Sequence, residues 1–169
     1  MELFETIYKR RSIRKFTADK INEDDIDKIL KAAMYAPSAG NAQPWHFIVM
    51  DDTKILEDLS QIIPNAKMIA ESSHCIIVCA DTELEKYKGR WMLDCSAATQ
   101  NMLLAATSLG IGSVWIGIFP VDERMDNLSK YFNLSENIKP VSIVALGYPA
   151  ENKAQPDRFK AERIHRNKF

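Results

Sequence analysis

The chain has 169 residues, of which 46% are hydrophobic and 27% charged, and its formal net charge is −1. That balance fits one globular domain with room for a sizeable core, and it excludes a disordered, collagenous or low-complexity chain. Nothing global draws the chain to nucleic acid or to an anionic membrane, so any anion site has to be local.

The opening MELFETIYKRRS has no apolar h-region and no cleavage site, so no signal peptide is expected. No apolar run is long enough to span a bilayer. The three cysteines, Cys75, Cys79 and Cys95, are then expected to be reduced thiols in a cytoplasmic protein.

A first helix is predicted over residues 2–9, with Leu3, Phe4, Ile7 and Tyr8 on one face. The basic run KRRSIRKF follows. Asn22 reads as an N-cap, with Glu23, Asp24 and Asp25 in the first turn, where the helix dipole favours acids. Ile26, Ile29, Leu30, Ala33 and Met34 give that second helix its stripe, and Pro37 ends it near Ala36. The loop PSAGNAQP leads to a strand over residues 46–50 and a helix over 53–63. CIIVCA, residues 75–80, reads as a strand buried on both faces because it is continuously apolar. A central buried helix is predicted over residues 83–109, closed by Gly110. A strand over 113–118, a helix over 122–132 and a strand over 141–147 complete the order. Beyond Pro149 the chain turns polar and basic and reads as a tail. Strands alternating with helices around a small sheet indicate an α+β sandwich of two or three layers. The absence of an opening strand and Gly-rich turn argues against a Rossmann domain.

Three segments could carry chemistry. From Lys9 to Lys15, five of seven residues are cationic. A solvated charged face is the bland account of such a run. In an extended chain, however, Arg10, Ser12 and Arg14 project to one side. Two guanidinium groups flanking a hydroxyl suit a phosphate. The segment lacks interleaved aromatics, which weakens a nucleic-acid reading. The loop from Ala36 to Trp45, with turn residues Pro37, Ser38, Gly40, Asn41 and Pro44, is rich in amide and hydroxyl groups and free of charge. It is either a plain connection or a set of hydrogen-bonding groups for a neutral polar ring. GIGSVWIG reads first as a helix end running into a strand, with Gly117 able to lie against a flat ligand. For Cys75 and Cys79, buried free thiols are a better account than a metal site, and no metal is expected. His46 and His165 have no partner legible in the sequence, and no nucleophile–base arrangement is evident.

Taken together, RRSIRKF, APSAGNAQPWHF, DCSAATQNMLLAATSLGIGSVWIG and VALGYP, in this order over nearly the whole chain, resemble the nitroreductase family. The resemblance implies a three-layer α/β/α sandwich with a small central sheet, forming an intertwined homodimer. Residues 1–169 would make one FMN-binding domain, with 150–169 extending over the partner subunit. By resemblance, Arg10, Ser12 and Arg14 contact the phosphate and ribityl chain, with Arg11 nearby. Pro37, Ser38, Ala39, Gly40 and Asn41 form the loop laid on the flavin by the partner chain. Asn65 and Lys67 meet the pyrimidine edge, where a cation would raise the flavin potential. Trp115, Ile116 and Gly117 back the ring, and Arg163 adds a last phosphate contact. The implied reaction is ping-pong transfer from NADH or NADPH, through FMN, to a small-molecule acceptor such as a nitroaromatic or quinone. The cofactor carries that chemistry, so no catalytic side chain is expected.

Two departures stand out. Many members have a Glu before a Gly on the strand behind the flavin, whereas here Ile116 directly precedes Gly117. The segment between Asn65 and the long helix is short, which implies a more open cleft. Reductive dehalogenation, flavin reduction for a partner, or a flavin-binding redox module without turnover fit the same residues.

Overall fold

The computed structural model describes residues 2–169. Among them, α1 (Leu3–Lys9), α2 (Glu23–Met34), α3 (Thr53–Ile62), α4 (Trp91–Ser108) and α5 (Asp122–Tyr131) surround one sheet. The sheet comprises β1 (Trp45–Met50), β2 (His74–Asp81), β3 (Gly112–Gly117) and β4 (Ile138–Gly147) in the order β1-β2-β4-β3. All three pairings are antiparallel. Short 3-10 turns lie at Ala39–Asn41, Lys67–Glu71 and Ala161–Arg163. No helix among the described residues is long and apolar enough to cross a membrane.

The architecture is α+β in three layers. Successive strand residues point to opposite faces, and both faces of the central strands are covered. Ile76, Val78 and Ala80 of β2 and Val144 and Leu146 of β4 join Ile26 and Ile29 of α2 and Ala98 and Met102 of α4. Their neighbours Cys75, Ile77, Cys79, Ile143 and Ala145 join Leu56 and Leu59 of α3 and Leu128 of α5. This double covering explains why β2 reads as continuously apolar. Its middle is fully buried although its pairing is antiparallel.

Local signals hold at several ends. The Asn22 side chain accepts the Asp25 N–H at 2.9 Å, and the Asp52 side chain accepts the Ile55 N–H at 3.0 Å, as N-caps do. After α4, the Gly110 N–H donates to Thr107 O and the Ile111 N–H to Ala106 O, with Gly110 at φ +76°. This is a Schellman closure.

One expectation is corrected. The central helix begins at Trp91, eight residues later than the pattern suggested. Residues 82–90 turn instead: the Asp81 carboxylate takes the Glu83 N–H, the Glu85 carboxylate takes the Gly89 N–H, and Gly89 has φ +79°. The carboxylates satisfy backbone donors that a helix would otherwise use. The apolar face of α1 is not buried within this chain. Leu3, Phe4, Ile7 and Tyr8 are all exposed, and Thr6 is the residue that turns inward.

Candidate functional site

The basic segment lies against the outer edge of the sheet. Ser12 bridges Ser113 of β3 in parallel, and the Ile13 N–H donates to Ser113 O at 2.9 Å. Two glycines let the segment sit this close. A Cβ at Gly112 would fall 2.9 Å from Ile13 Cγ2, and one at Gly147 would fall 2.7 Å from Phe16 Cδ1. Ile13 and Phe16 are buried in this seat while Arg14 and Lys15 remain exposed.

The start of the tail locks the segment. Lys153 Nζ donates to Ser12 O at 2.6 Å, and Glu151 Oε1 accepts the Arg14 N–H at 2.6 Å. That N–H is the main reason the Glu151 carboxyl is held below its usual range, with Lys153 adding to it. Arg11 is spent on structure. It donates to the carbonyls of Tyr8 and Arg10 through Nη1 and of Ala154 through Nε.

Arg10 differs from Arg11. Burial, and then the charges of Arg158 and Arg11, push its guanidinium down from the ordinary arginine value. An arginine stays protonated in such a place. The result is a half-buried concentration of positive charge. Arg10, Arg11 and Arg158 line a cleft of about 930 Å³, together with Ile7, Tyr8, Gln100 and Phe159. The nearest acid in that wall, Asp157, accepts the Phe159 N–H at 3.1 Å.

The edge of β3 continues from this charge. Ser113 O faces outward to Ile13, and strand alternation turns the backbone groups of Trp115 and Gly117 to the same side. Ile116 pairs inward with Ile143, and its side chain is buried in the core under α3 and α5. Of the three residues expected behind a flat ligand, Trp115 and Gly117 therefore lie on the edge and Ile116 does not. Nothing lies within 4 Å of where a Cβ of Gly117 would be. Arg124 fastens the far end, donating to Gly117 O at 2.6 Å and to Pro64 O at 3.0 Å. That clamp brings the turn carrying Asn65 and Lys67 beside Gly117. Both side chains are exposed, and Asn65 has φ +63°. From Ser113 to Gly117 the edge runs roughly 14 Å, at about 3.4 Å per residue.

The 37–41 loop lies elsewhere. The Ala39 N–H donates to Asp94 Oδ1 at 3.0 Å, in the first turn of α4, and Lys86 Nζ donates to Gly40 O at 2.7 Å. Gly40, Asn41 and Gln43 all have positive φ, which is strained backbone for the two non-glycine residues. Pro37 is exposed, and Ser38 Oγ accepts the Gln43 N–H at 2.9 Å. Ile13 sits on Gly112, past the other end of α4. Between Asp94 and Ser108 the helix rises roughly 21 Å. Within one chain the loop and the basic segment therefore face different ends of the molecule. Arg163 is exposed in the tail turn, and the exposed residues 154–169 meet the rest of the chain through Ala154 O, which accepts from Arg11, and through Arg158 and Phe159 at the cleft.

A family model described as the nitroreductase family matches residues 7–75 and 65–148. The chain belongs to the nitroreductase family. A relative in Archaeoglobus fulgidus, provisionally named NADH dehydrogenase/NAD(P)H nitroreductase, is 51% identical, and the match covers 99% of each chain. Among solved structures, an FMN-dependent nitroreductase from Clostridium difficile R20291 superposes with a TM-score of 0.91 at 29% identity, covering 98% of this chain and 99% of that one. The NADPH:FMN oxidoreductase of Vibrio harveyi, solved with NAD+, gives 0.87 at 27% identity, covering 99% of this chain and 77% of that one.

Several residues of this nitroreductase site escaped the sequence. Arg158 lies in a tail without periodicity, and Arg124 on an exposed helix face, so neither left a signal. Asp94 did leave one, as a lone acid in an otherwise apolar helix. It is 5% exposed, and its Oδ2 has no hydrogen-bond partner among the described residues. The three thiols are buried as expected, and burial pushes each up to about 12.

Proposed function

We propose that this protein is an FMN-dependent oxidoreductase that works as a homodimer. The observation that carries the reading is the half-buried Arg10 guanidinium, crowded by the charges of Arg11 and Arg158, at one end of an open strand edge. Desolvated like charges are costly unless an anion joins them, and a phosphate monoester supplies that anion with acceptors for guanidinium donors. Arg10, Ser12, Arg14 and Arg158 would hold the phosphate and ribityl chain. Trp115 and Gly117 would lie along the ring through their outward backbone groups. Asn65 and Lys67 would meet its polar edge, with Lys67 placing a cation where negative charge grows on reduction.

The separation of the loop from the basic segment along α4 supports a second subunit. That other copy would lay Pro37, Ser38, Ala39, Gly40 and Asn41 on the flavin. The exposed apolar face of α1, with Phe159 at 72% and Ile164 at 53% exposure in the tail, is the surface such a copy would cover. The tail, including Arg163, would extend over it.

FMN held there would supply the redox chemistry, hydride transfer between NADH or NADPH and an acceptor such as a nitroaromatic or quinone, in two half-reactions. The chain's own part is to neutralise the phosphate, fix the ring on the strand edge, and leave one face free for one flat molecule at a time. That arrangement supports ping-pong kinetics and calls for no side-chain acid or base.

The test is an absorbance spectrum of the full chain after soaking in FMN and desalting, followed by anaerobic NADH and NADPH. A yellow protein with about one FMN per chain, bleached by either nucleotide, is the expected result. A protein that stays colourless overturns the reading. A yellow protein that neither nucleotide bleaches leaves a flavin-binding module without turnover.

A further inference from the structure

At the sheet edge opposite β3, three elements bring Glu23, Asp51 and His74 together. Glu23 opens α2, Asp51 follows β1 and His74 opens β2. Met50 pairs with Cys75, so the same register continued by one residue sets Asp51 opposite His74. One oxygen of each carboxylate and one ring nitrogen lie within 4.8 Å of one another.

The histidine makes this more than an acidic cluster. Its side chain is only 3% exposed, yet Nε2 has no hydrogen-bond partner among the described residues. Glu23 Oε1 lies 3.7 Å from it, beyond hydrogen-bond length. Nδ1 is occupied, at 2.9 Å from Ser73 Oγ, which also accepts the Ile21 N–H at 2.9 Å. In the tautomer whose Nδ1–H donates to Ser73, Nε2 turns a bare lone pair toward the two carboxylates. A ring fixed through one nitrogen and open at the other is how metal-binding histidines are held.

We infer that Glu23, Asp51 and His74 form a site for a divalent transition-metal ion of the zinc type. One imidazole and two carboxylates suit zinc, cobalt or nickel, whereas calcium and magnesium prefer oxygen ligands alone. Ligands about 2.0–2.1 Å from a tetrahedral ion lie roughly 3.4 Å apart. The 3.7 Å between Glu23 and His74 needs little closing, and the Glu23 side chain, 80% exposed, is free to move. Water would complete the shell. The ion would pin the start of α2 to the adjoining ends of β1 and β2. Lys20 opposes it: its Nζ donates to Asp51 O at 3.1 Å and Ser73 O at 3.4 Å, which puts a like charge beside the site.

The experiment is calorimetric titration of chelator-treated, full-length protein with zinc chloride, with melting curves alongside. One zinc per chain should bind, and the melting temperature should rise by roughly 5–10 °C at a hundredfold excess over Kd. The double variant Glu23→Gln, Asp51→Asn changes two exposed side chains and should weaken binding at least tenfold. Lys20→Met should tighten it, and His46→Asn with His165→Asn should leave it unchanged. Cobalt in place of zinc should give a visible spectrum that the double variant loses. No saturable binding by the native chain, or equal binding by the double variant, overturns the inference. The calorimetric zinc stoichiometry does not depend on flavin absorbance or on turnover.

Discussion

Ile77, in the middle of β2, and Phe159, in the tail, are both large apolar side chains. Ile77 is fully buried, and Phe159 is 72% exposed. The contrast extends to their surroundings. The sheet and its two helical layers close their apolar surface within one chain. The apolar residues of α1 and the tail stay in water, next to the arginines of the proposed phosphate site. The body thus closes its core within one chain, whereas under the proposed function α1 and the tail would be covered by a second copy and a ligand. Each of the following measurements would break or sharpen that division.

The largest effect should come from the body. Ile77→Ala removes packing on a fully buried strand and should cost about 2–5 kcal/mol in denaturant unfolding. A loss below about 1 kcal/mol would mean that the core is looser than its burial indicates. Truncation after Lys153 should do the reverse, leaving chain stability nearly intact and weakening the dimer. Light scattering across a dilution series should show dissociation at least tenfold earlier than in the full chain. A truncated protein that remains an equally tight dimer refutes the role given to the tail.

Arg10→Ala should raise the FMN dissociation constant roughly tenfold to a hundredfold, as expected for a lost charge-assisted contact. Arg11→Ala should do less to FMN, because its donors already serve backbone carbonyls. Equal effects from the two would erase the distinction drawn between them.

The smallest changes concern protons. Burial raises each thiol to about 12. A raised folded value means that the folded chain keeps those protons longer than the unfolded one. The stability this contributes is complete below roughly pH 8.5, the ordinary thiol value, and is lost as pH rises toward about 12. A thiol reagent at pH 8 should therefore label none of the three until the chain unfolds. The Glu151 carboxyl is shifted the other way, mainly by the Arg14 N–H. Its hold on the basic segment is present above about pH 4 and is lost as pH falls through the lowered value. Tail exchange rates followed by NMR should rise over that range.

Element types were largely legible in the sequence because they follow from local periodicity. The stripe of α2, the Asn22 cap and the continuous apolar run of β2 needed no tertiary knowledge. The misjudged start of α4 shows the limit. Leu84 and Tyr87, three apart, fit a helix face, but Asp81 and Glu85 claim the backbone donors. For the site, the motif order RRSIRKF then PSAGNAQPWHF pointed to the right family. Arg158 and Arg124 could not be found, since the contacts of Arg158 with Arg10 and of Arg124 with Pro64 join distant parts of the chain and leave no spacing to read.

By itself, the sequence determined which segments are helix or strand, which side chains are apolar enough to close a core, and where the cations cluster, because these depend on neighbours a few positions away. The tertiary structure alone decided three further things. The face of α1 points outward, because the chain's own core is already full without it. The loop and the basic segment sit at opposite ends of α4, because a rigid helix separates them. Glu23, Asp51 and His74 converge, because strand register and helix placement align positions that no local pattern connects.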